Sequence, residues 1–245
     1  YEMSVSDWSS DVCSSDLLYG ALLRLGFADV YEVAAGADET ARLEAHELTE
    51  RLSAGETFMT TSCCPAWVET VKRHLPELAR YVSHTPSPMR LTARMARADD
   101  PDAVLVFIGP CAAKRTEATL NGFPDHVLTA EELGALLIAA GIDVDACEPA
   151  ASACTGSRDG LCFAVTGGVA AAVAAQLPKG SAPKPYVING LSQKTIRLLA
   201  TFAKTGKAPG QLVEVMCCEG GCTAGPCSFE DPARAAARVQ AMKDR

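Results

Sequence analysis

Cysteine-containing turns that directly follow apolar segments constrain the fold of this chain more than any other feature. The apolar segment 103–108 (AVLVFI) ends at a Gly-Pro-Cys turn, and 212–216 (LVEVM) ends at a Cys-Cys pair. Short, mostly apolar segments of this kind are typical of buried strands in parallel sheets. In α/β folds, ligands bind at the carboxyl ends of such strands. The two turns therefore predict a ligand site in which cysteines take part.

The rest of the chain alternates helical and strand-like patterns with short turns. This alternation predicts an α/β fold with parallel β-sheets flanked by helices. Further strands are expected at 29–33, 163–165 and 186–188. Helices are expected over 18–25 and 39–52, up to Leu75, after Pro88, from a Thr129–Glu132 capping box to Gly141, and from Pro232 onward.

Residues 1–17 (YEMSVSDWSSDVCSSDL) are rich in Ser and Asp and have neither helical nor strand periodicity. They look like translated sequencing-adapter sequence, and they lack the basic and apolar regions of a secretory signal. We therefore predict that this segment is non-native and give Cys13 no role. The expected domain is 18–245, with part of its N-terminal region missing.

The net charge and the hydropathy of the sequence argue against two classes of binding partner. The chain has 22 Lys and Arg against 30 Asp and Glu, a net charge of −8. An acidic surface does not neutralise phosphates, which argues against a nucleic-acid partner. No apolar run is long enough to span a bilayer, so no membrane partner is expected.

Eleven cysteines are many for 245 residues, and two adjacent pairs, Cys63–Cys64 and Cys217–Cys218, are poorly placed for unstrained disulfides within each pair. Thiolates held for a metal are the better interpretation. Four thiolates from three loops suit an iron–sulfur cluster. Zinc remains the alternative, although structural zinc sites favour paired ligands at short spacing.

Three segments carry a resemblance to a known family: 61–67 (TSCCPAW), 109–117 (GPCAAKRTE) and 214–222 (EVMCCEGGC). In sequence and order they resemble the signature loops of the iron–iron (FeFe) hydrogenases, and the resemblance covers 18–245. It implies two α/β lobes with an H-cluster in the cleft between them. The H-cluster is a 4Fe-4S cluster joined through one cysteine to a two-iron unit with CO, cyanide and azadithiolate ligands. The implied activity is the reversible oxidation of dihydrogen to protons and electrons.

The resemblance also assigns roles to residues near the cluster. Cys63 corresponds to a free thiol that passes protons, which a thiol does better than a hydroxyl at neutral pH. Lys114 corresponds to a lysine that donates a hydrogen bond to an iron-bound cyanide, and Met216 to a methionine packed against the two-iron unit. Without the resemblance, Cys63 would be interpreted as a small buried hydrophobic residue, Lys114 as a surface cation and Met216 as part of a strand core. The implied cubane ligands are Cys64, Cys111, Cys218 and Cys222, the last shared with the two-iron unit.

Farther out, Glu44 and Glu47, with Arg51 one turn later, and Ser87 between two prolines resemble the family's proton route to solvent. A separation of three residues places both carboxylates on one helix face, as a relay requires. Without the resemblance, solvent-exposed glutamates would be the better interpretation. Phe163 corresponds to a residue that lines the cluster pocket.

Some positions depart from the family pattern. Gly109 stands where Met is usual, Cys217 where Ala is common, and Ala66 where Gly is common, while 225–227 (GPC) replaces a glycine-rich tail. In these positions the chain resembles a hydrogenase subgroup with altered loops, which leaves turnover and oxygen tolerance open. No role is assigned to Cys147, Cys154, Cys162, Cys217 or Cys227.

The resemblance further implies an anaerobic, cytoplasmic oxidoreductase that exchanges electrons with ferredoxin or an accessory iron–sulfur domain and depends on maturation enzymes. One alternative is a hydrogenase-like protein of iron–sulfur cluster assembly, which would not need the Cys63 thiol. A second is a hydrogen sensor whose output domain lies outside this sequence. A zinc–thiolate binding module is a more distant alternative.

Overall fold

The computed structural model describes residues 14–178 and 183–243. These residues include five short strands and ten α-helices. The strands are β1 (Met59–Thr60), β2 (Val106–Gly109), β3 (His126–Thr129), β4 (Pro185–Asn189) and β5 (Leu212–Met216). The helices are α1 (Ser14–Leu25), α2 (Val33–Ser53), α3 (Pro65–His74), α4 (Pro88–Asp99), α5 (Ala113–Asn121), α6 (Ala130–Ala139), α7 (Arg158–Leu161), α8 (Gly168–Ala175), α9 (Gln193–Thr205) and α10 (Pro232–Lys243).

The strands form two parallel sheets. One has the order β1-β5-β4, and the other pairs β2 with β3. Helices cover both faces of the larger sheet, as a parallel sheet requires because both of its faces are apolar. The prediction of an α/β fold with parallel sheets flanked by helices is confirmed.

The central strand β5 shows why the sequence folds this way, since all five of its residues are buried. Leu212 and Met216 pack on one face among apolar residues of α2 and α8. Val213 and Val215 pack on the other face among apolar residues of α3 and α9, Trp67 included. A third cluster joins α1 to α6 and includes Ile108 of the smaller sheet.

Two predicted strands are wrong. In 29–33 only a single bridge forms, between Tyr31 and Cys154, and α2 already begins at Val33 rather than at residue 39. The reason is packing: a Cβ at Gly36 would lie 2.4 Å from the Pro88 carbonyl oxygen, so glycine lets α2 approach α4 closely. Residues 163–165 also form no strand, because Cys162–Ala164 is a 3₁₀ turn.

Helix ends follow the predicted signals. Thr129 and Glu132 form the expected capping box of α6, and Asp231 Oδ1 accepts the backbone N–H groups of Ala233 and Arg234 at the start of α10. Helix α1 begins at Ser14, so it includes residues 14–17 of the segment predicted to be non-native, whereas residues 1–13, Cys13 among them, lie outside the described residues. Nowhere in the described chain is a helix both long and apolar enough to cross a membrane.

Candidate metal centre

Three strand ends deliver the predicted cysteine ligands. Cys64 follows β1 and directly precedes α3, and Cys111 follows β2 and precedes α5. Cys218 follows β5, and the turn to Cys222 passes through two glycines with positive φ. At Gly221 a Cβ would lie 2.6 Å from the Ala164 carbonyl oxygen, so the turn needs glycine to pack this closely. Both sheets therefore contribute thiols at their carboxyl ends.

The thiols of the three loops lie near enough for their charges to act on one another. The pKa of Cys222 is raised to about 12 by burial and then by the charges of Cys64, Cys111 and Cys218, with Lys114 opposing the rise. The pKa of Cys218 is raised to about 11 by burial and then by the charges of Cys217, Cys64 and Cys111. The negative charge of each thiolate thus disfavours ionisation of the neighbouring thiols. A bound metal cation has the opposite effect and stabilises the thiolates.

The donor set fits an iron–sulfur cluster. Among the described residues, no three Cys, His, Asp or Glu side chains are arranged to hold a single metal ion. A cubane offers one iron to each thiolate, so its four sulfur ligands need not converge on one point. Cys64, Cys111, Cys218 and Cys222 supply that number of thiols from loops whose charges act on one another.

Lys114 places a cation beside these thiols. Its side chain is buried, and Nζ donates to Glu117 Oε2 at 2.7 Å and to the Cys63 carbonyl oxygen at 3.3 Å. Burial lowers the pKa of Lys114, but the Glu117 carboxylate together with the charges of Cys63 and Cys222 outweighs it, and the resulting pKa is raised. The ammonium therefore stays charged where an anionic ligand set would meet it.

Cys63 lies between the thiols and a buried carboxyl. Burial raises the pKa of Cys63 well above its ordinary value, and the charges of Glu44 and then Cys64 raise it further. Cys63 shares an apolar cluster with Met216 and Phe163, the residues predicted to line the cofactor pocket. The thiol is therefore neutral in a largely apolar environment, where it can hold a proton.

Glu44 is fully buried in the middle of α2. Its Oε1 accepts the Ser62 backbone N–H at 3.0 Å and lies 3.3 Å from the Ser62 hydroxyl, while Oε2 has no hydrogen-bond partner at ordinary distance among the described residues. The Ser83 hydroxyl is near enough to oppose part of the rise in pKa of Glu44. Burial raises the pKa of Glu44 to about 7. A carboxyl with this pKa can both accept and release a proton near neutral pH.

The sequence predicted that Glu47 and Ser87 form a proton route with Glu44. In the structure, both side chains make hydrogen bonds to other partners. Glu47 is held by Arg51 and by donors in residues 83–85. Ser87 donates to Glu117 Oε1 at 2.5 Å. No hydrogen bond joins Ser87 to Glu44 or Glu47 within the described part of the chain.

A family model described as the iron only hydrogenase large subunit, C-terminal domain, matches residues 5–226. The chain belongs to this family. Iron hydrogenase 1 of Clostridium pasteurianum is 28% identical over 85% of the chain, which spans 44% of that protein. The periplasmic Fe hydrogenase large subunit of Nitratidesulfovibrio vulgaris is 29% identical over 85% of the chain, which spans 61% of that protein. The chain thus covers about half the length of these relatives.

Solved structures agree with this assignment of the hydrogenase domain. An FeFe-hydrogenase structure that reports stepwise H-cluster assembly superposes with a TM-score of 0.74 at 26% identity, over 93% of this chain and 77% of that one. A variant of the FeFe-hydrogenase HydA1 from Chlamydomonas reinhardtii superposes with a TM-score of 0.73 at 25% identity, with the same shares of the two chains.

The hydrogenase domain contains polar residues near the site that the sequence did not single out. Ser62 contacts Glu44, and Glu117 joins Lys114 to Ser87. Both could have been found: Ser62 directly precedes the Cys63–Cys64 pair, and Glu117 lies one helical turn after Lys114. At Gly109 the space that a side chain would fill is taken by the Phe107 ring, 2.8 Å from a Cβ position.

Proposed function

We propose that this chain is the catalytic domain of an FeFe hydrogenase, which interconverts dihydrogen with two protons and two electrons at an H-cluster. The observation that carries the proposal is the meeting of four thiols from three strand-end loops beside the buried cation of Lys114. Cys64, Cys111, Cys218 and Cys222 would hold the cubane, with Cys222 shared with the two-iron unit. When bound, the cofactor supplies the making and breaking of the dihydrogen bond.

The chain's own residues provide the environment for that chemistry. Lys114 holds positive charge next to an anionic ligand set, because Glu117 keeps its ammonium protonated. Met216 and Phe163 exclude water from the same region. Cys63 holds a proton at Sγ, and Glu44 exchanges it, since its pKa of about 7 allows both protonation states at neutral pH.

The electron partner and the location of the protein belong to the same proposal. Ferredoxin, or an accessory iron–sulfur domain, would exchange electrons with the cluster, and maturation enzymes would supply the two-iron unit. We place the protein in the cytoplasm of an anaerobic cell. The related proteins differ in these respects, since one is named periplasmic and another is an NADP-reducing hydrogenase subunit from Solidesulfovibrio fructosivorans, 29% identical over 84% of the chain.

Infrared spectroscopy of the chain co-expressed with the maturation enzymes tests the proposal. Bands of iron-bound CO and cyanide should appear together with dihydrogen turnover. Cys63→Ser should keep these bands and lose turnover by roughly a hundredfold or more, because a hydroxyl relays protons poorly. Cys64→Ala should lose the cubane. A cubane signal without CO and cyanide bands would instead favour an assembly protein, and bands with negligible turnover would favour a sensor.

A further inference from the structure

A pocket of about 220 Å³ lies between α3, α4, α5 and the loop 83–87, and none of the four predicted cluster ligands lines it. It is smaller than the pockets that hold drug-sized ligands, so its size suits a small molecule. The lining combines charged and apolar side chains, among them Val68, Glu69, Lys72, Arg90, Glu117 and Leu120.

The two carboxylates that line the pocket already have cations of their own. Lys72 Nζ lies 2.8 Å from Glu69 Oε1, and Arg73 Nε lies 3.5 Å from Glu69 Oε2. Lys114 Nζ donates to Glu117 Oε2 at 2.7 Å. Two carboxylates thus face three cations, and neither carboxylate needs a further counter-ion.

Arg90 is different, because no ion pair within the described residues engages its half-buried guanidinium, and its buried Nε has no hydrogen-bond partner there. Arg90 also lies in the first turn of α4, which contains no acidic residue and where the helix end carries a positive partial charge. The N-cap residue Ser87 does not cap this end with its side chain, because its hydroxyl donates to Glu117. The guanidinium and the helix end together favour an anion in the pocket.

A carboxylate is the anion that matches this donor. A guanidinium presents Nε–H and one Nη–H along one edge, and a carboxylate accepts both hydrogen bonds at once. Because Arg90 is half-buried rather than enclosed, rotation about its side-chain torsions can turn that edge toward a ligand. Val68 and Leu120 add apolar surface to the same pocket, and Leu120 is 61% exposed. A short alkyl chain would cover this surface, which the hydrophobic effect favours.

We propose that this pocket binds a short-chain monocarboxylate, with its carboxylate on Arg90 and its alkyl chain against Val68 and Leu120. A single negative charge matches the single unpaired cation, whereas a multiply charged anion would be repelled by Glu69 and Glu117. Inorganic phosphate could pair with Arg90 but would leave the apolar wall uncovered. The proposal does not rest on the hydrogenase function, because it concerns a site apart from the cluster ligands.

Isothermal titration calorimetry of the full chain with butyrate, at an ionic strength held constant with chloride, tests the site. Wild type should bind butyrate with a dissociation constant roughly in the millimolar range, as expected for so small a ligand. Arg90→Gln should weaken binding at least about tenfold, because the charge and the two-donor edge are lost. Arg94→Gln is the matched control, since Arg94 is exposed one turn later on α4 and does not line the pocket. Absent binding in wild type, or equal affinities in the two variants, overturns the proposal.

Acetate and phosphate distinguish a carboxylate site with an apolar wall from a general anion site. Butyrate should bind at least about fivefold more tightly than acetate, because two more methylene groups leave water. Leu120→Ser should reduce this preference to less than about twofold and leave the affinity for acetate unchanged. Leu120 is mostly exposed, so the variant should melt near the wild-type temperature. Equal binding of acetate and butyrate, or phosphate binding as tight as that of butyrate, overturns the ligand class. Absent CO and cyanide bands in the matured chain would refute the hydrogenase function and leave this site unaffected.

Discussion

At the level of a single residue, the proposed proton relay through Glu44 has a consequence for stability. Its pKa is raised by burial from the ordinary value of 4.5 to about 7. Between these values the native state keeps a proton that the unfolded state releases, so stability decreases as pH rises from about 4.5 to about 7. The pKa difference corresponds to about 3 kcal/mol. Glu44→Gln cannot titrate and should lose this part of the pH dependence, as measured by urea unfolding at pH 5 and pH 8.

Glu50→Gln on the exposed side of the same helix is the matched control, because its carboxylate lies at the surface, where it pairs with His46 at 3.5 Å, and is not buried on folding. It should retain the wild-type decline in unfolding free energy between pH 5 and pH 8. If Glu44→Gln and wild type declined in parallel, Glu44 would be ionised in the native protein throughout this range. Its role as a neutral-pH relay would then be untenable.

The sequence could predict the cysteines but not the state of the glutamates. The thiols are recognisable because strand ends and turn glycines dictate where they lie, whereas the role predicted for Lys114 came only from the resemblance to the FeFe hydrogenases. A pair of glutamates three residues apart, by contrast, has the same pattern on a surface helix and on a buried one. Only the packing of 61–63 and 83–85 against α2 shows that Glu44 is buried and that both oxygens of Glu47 accept hydrogen bonds.

Glu214 connects two elements of the site. It is fully buried on β5, and its two oxygens accept the backbone N–H groups of Gly167 at 2.6 Å and Ala170 at 2.7 Å at the start of α8. The side chain thus caps a helix from a neighbouring strand. Glu214→Gln replaces one acceptor with an NH₂ group that faces an N–H donor. It should lower the unfolding free energy by about 2 kcal/mol in urea titrations.

Glu131→Gln serves as the control for Glu214→Gln, since Glu131 is an exposed acidic residue in the first turn of α6. This variant should change the unfolding free energy by less than about half a kcal/mol. Equal destabilisation by the two variants would show that the Glu214 hydrogen bonds contribute no more than a solvated charge near a helix end.

Elements were predictable where local signals and packing agree. The predicted strand 212–216 and β5 have the same bounds. All five residues are buried, as expected for a central strand of a parallel sheet that helices cover on both faces. The start of α2 was missed because Gly36 weakens a helix locally, while its missing side chain allows the contact with α4 that stabilises the helix. The short strands β1 and β3 were not predicted at all, since two and four residues carry too little pattern.

At the scale of the whole molecule, the proposed cluster would connect the two sheets. Cys111 follows β2 of the smaller sheet, whereas Cys64, Cys218 and Cys222 follow strands of the larger one. Apart from the cluster, the C-terminal segment also bridges these regions, because the Cys227 backbone N–H donates to the Pro110 carbonyl oxygen at 3.3 Å. Loading of the cluster should therefore stabilise the fold as a whole and not only the loops.

This connection predicts that the melting temperature depends more on which sheet supplies a lost ligand than on how many ligands remain. The matured chain should melt at least about 10 °C above the unmatured chain, because a ligand that binds only the native state stabilises it. Cys111→Ala removes the thiolate from the smaller sheet, and Cys218→Ala removes one of three from the larger sheet. After chemical reconstitution of both variants to equal iron content on the three thiolates that remain, Cys218→Ala should keep part of the gain in melting temperature, while Cys111→Ala should lose nearly all of it. Equal losses in the two variants would mean that the cluster stabilises only its own loops, and that the two sheets are held together by protein contacts such as the one between Cys227 and Pro110.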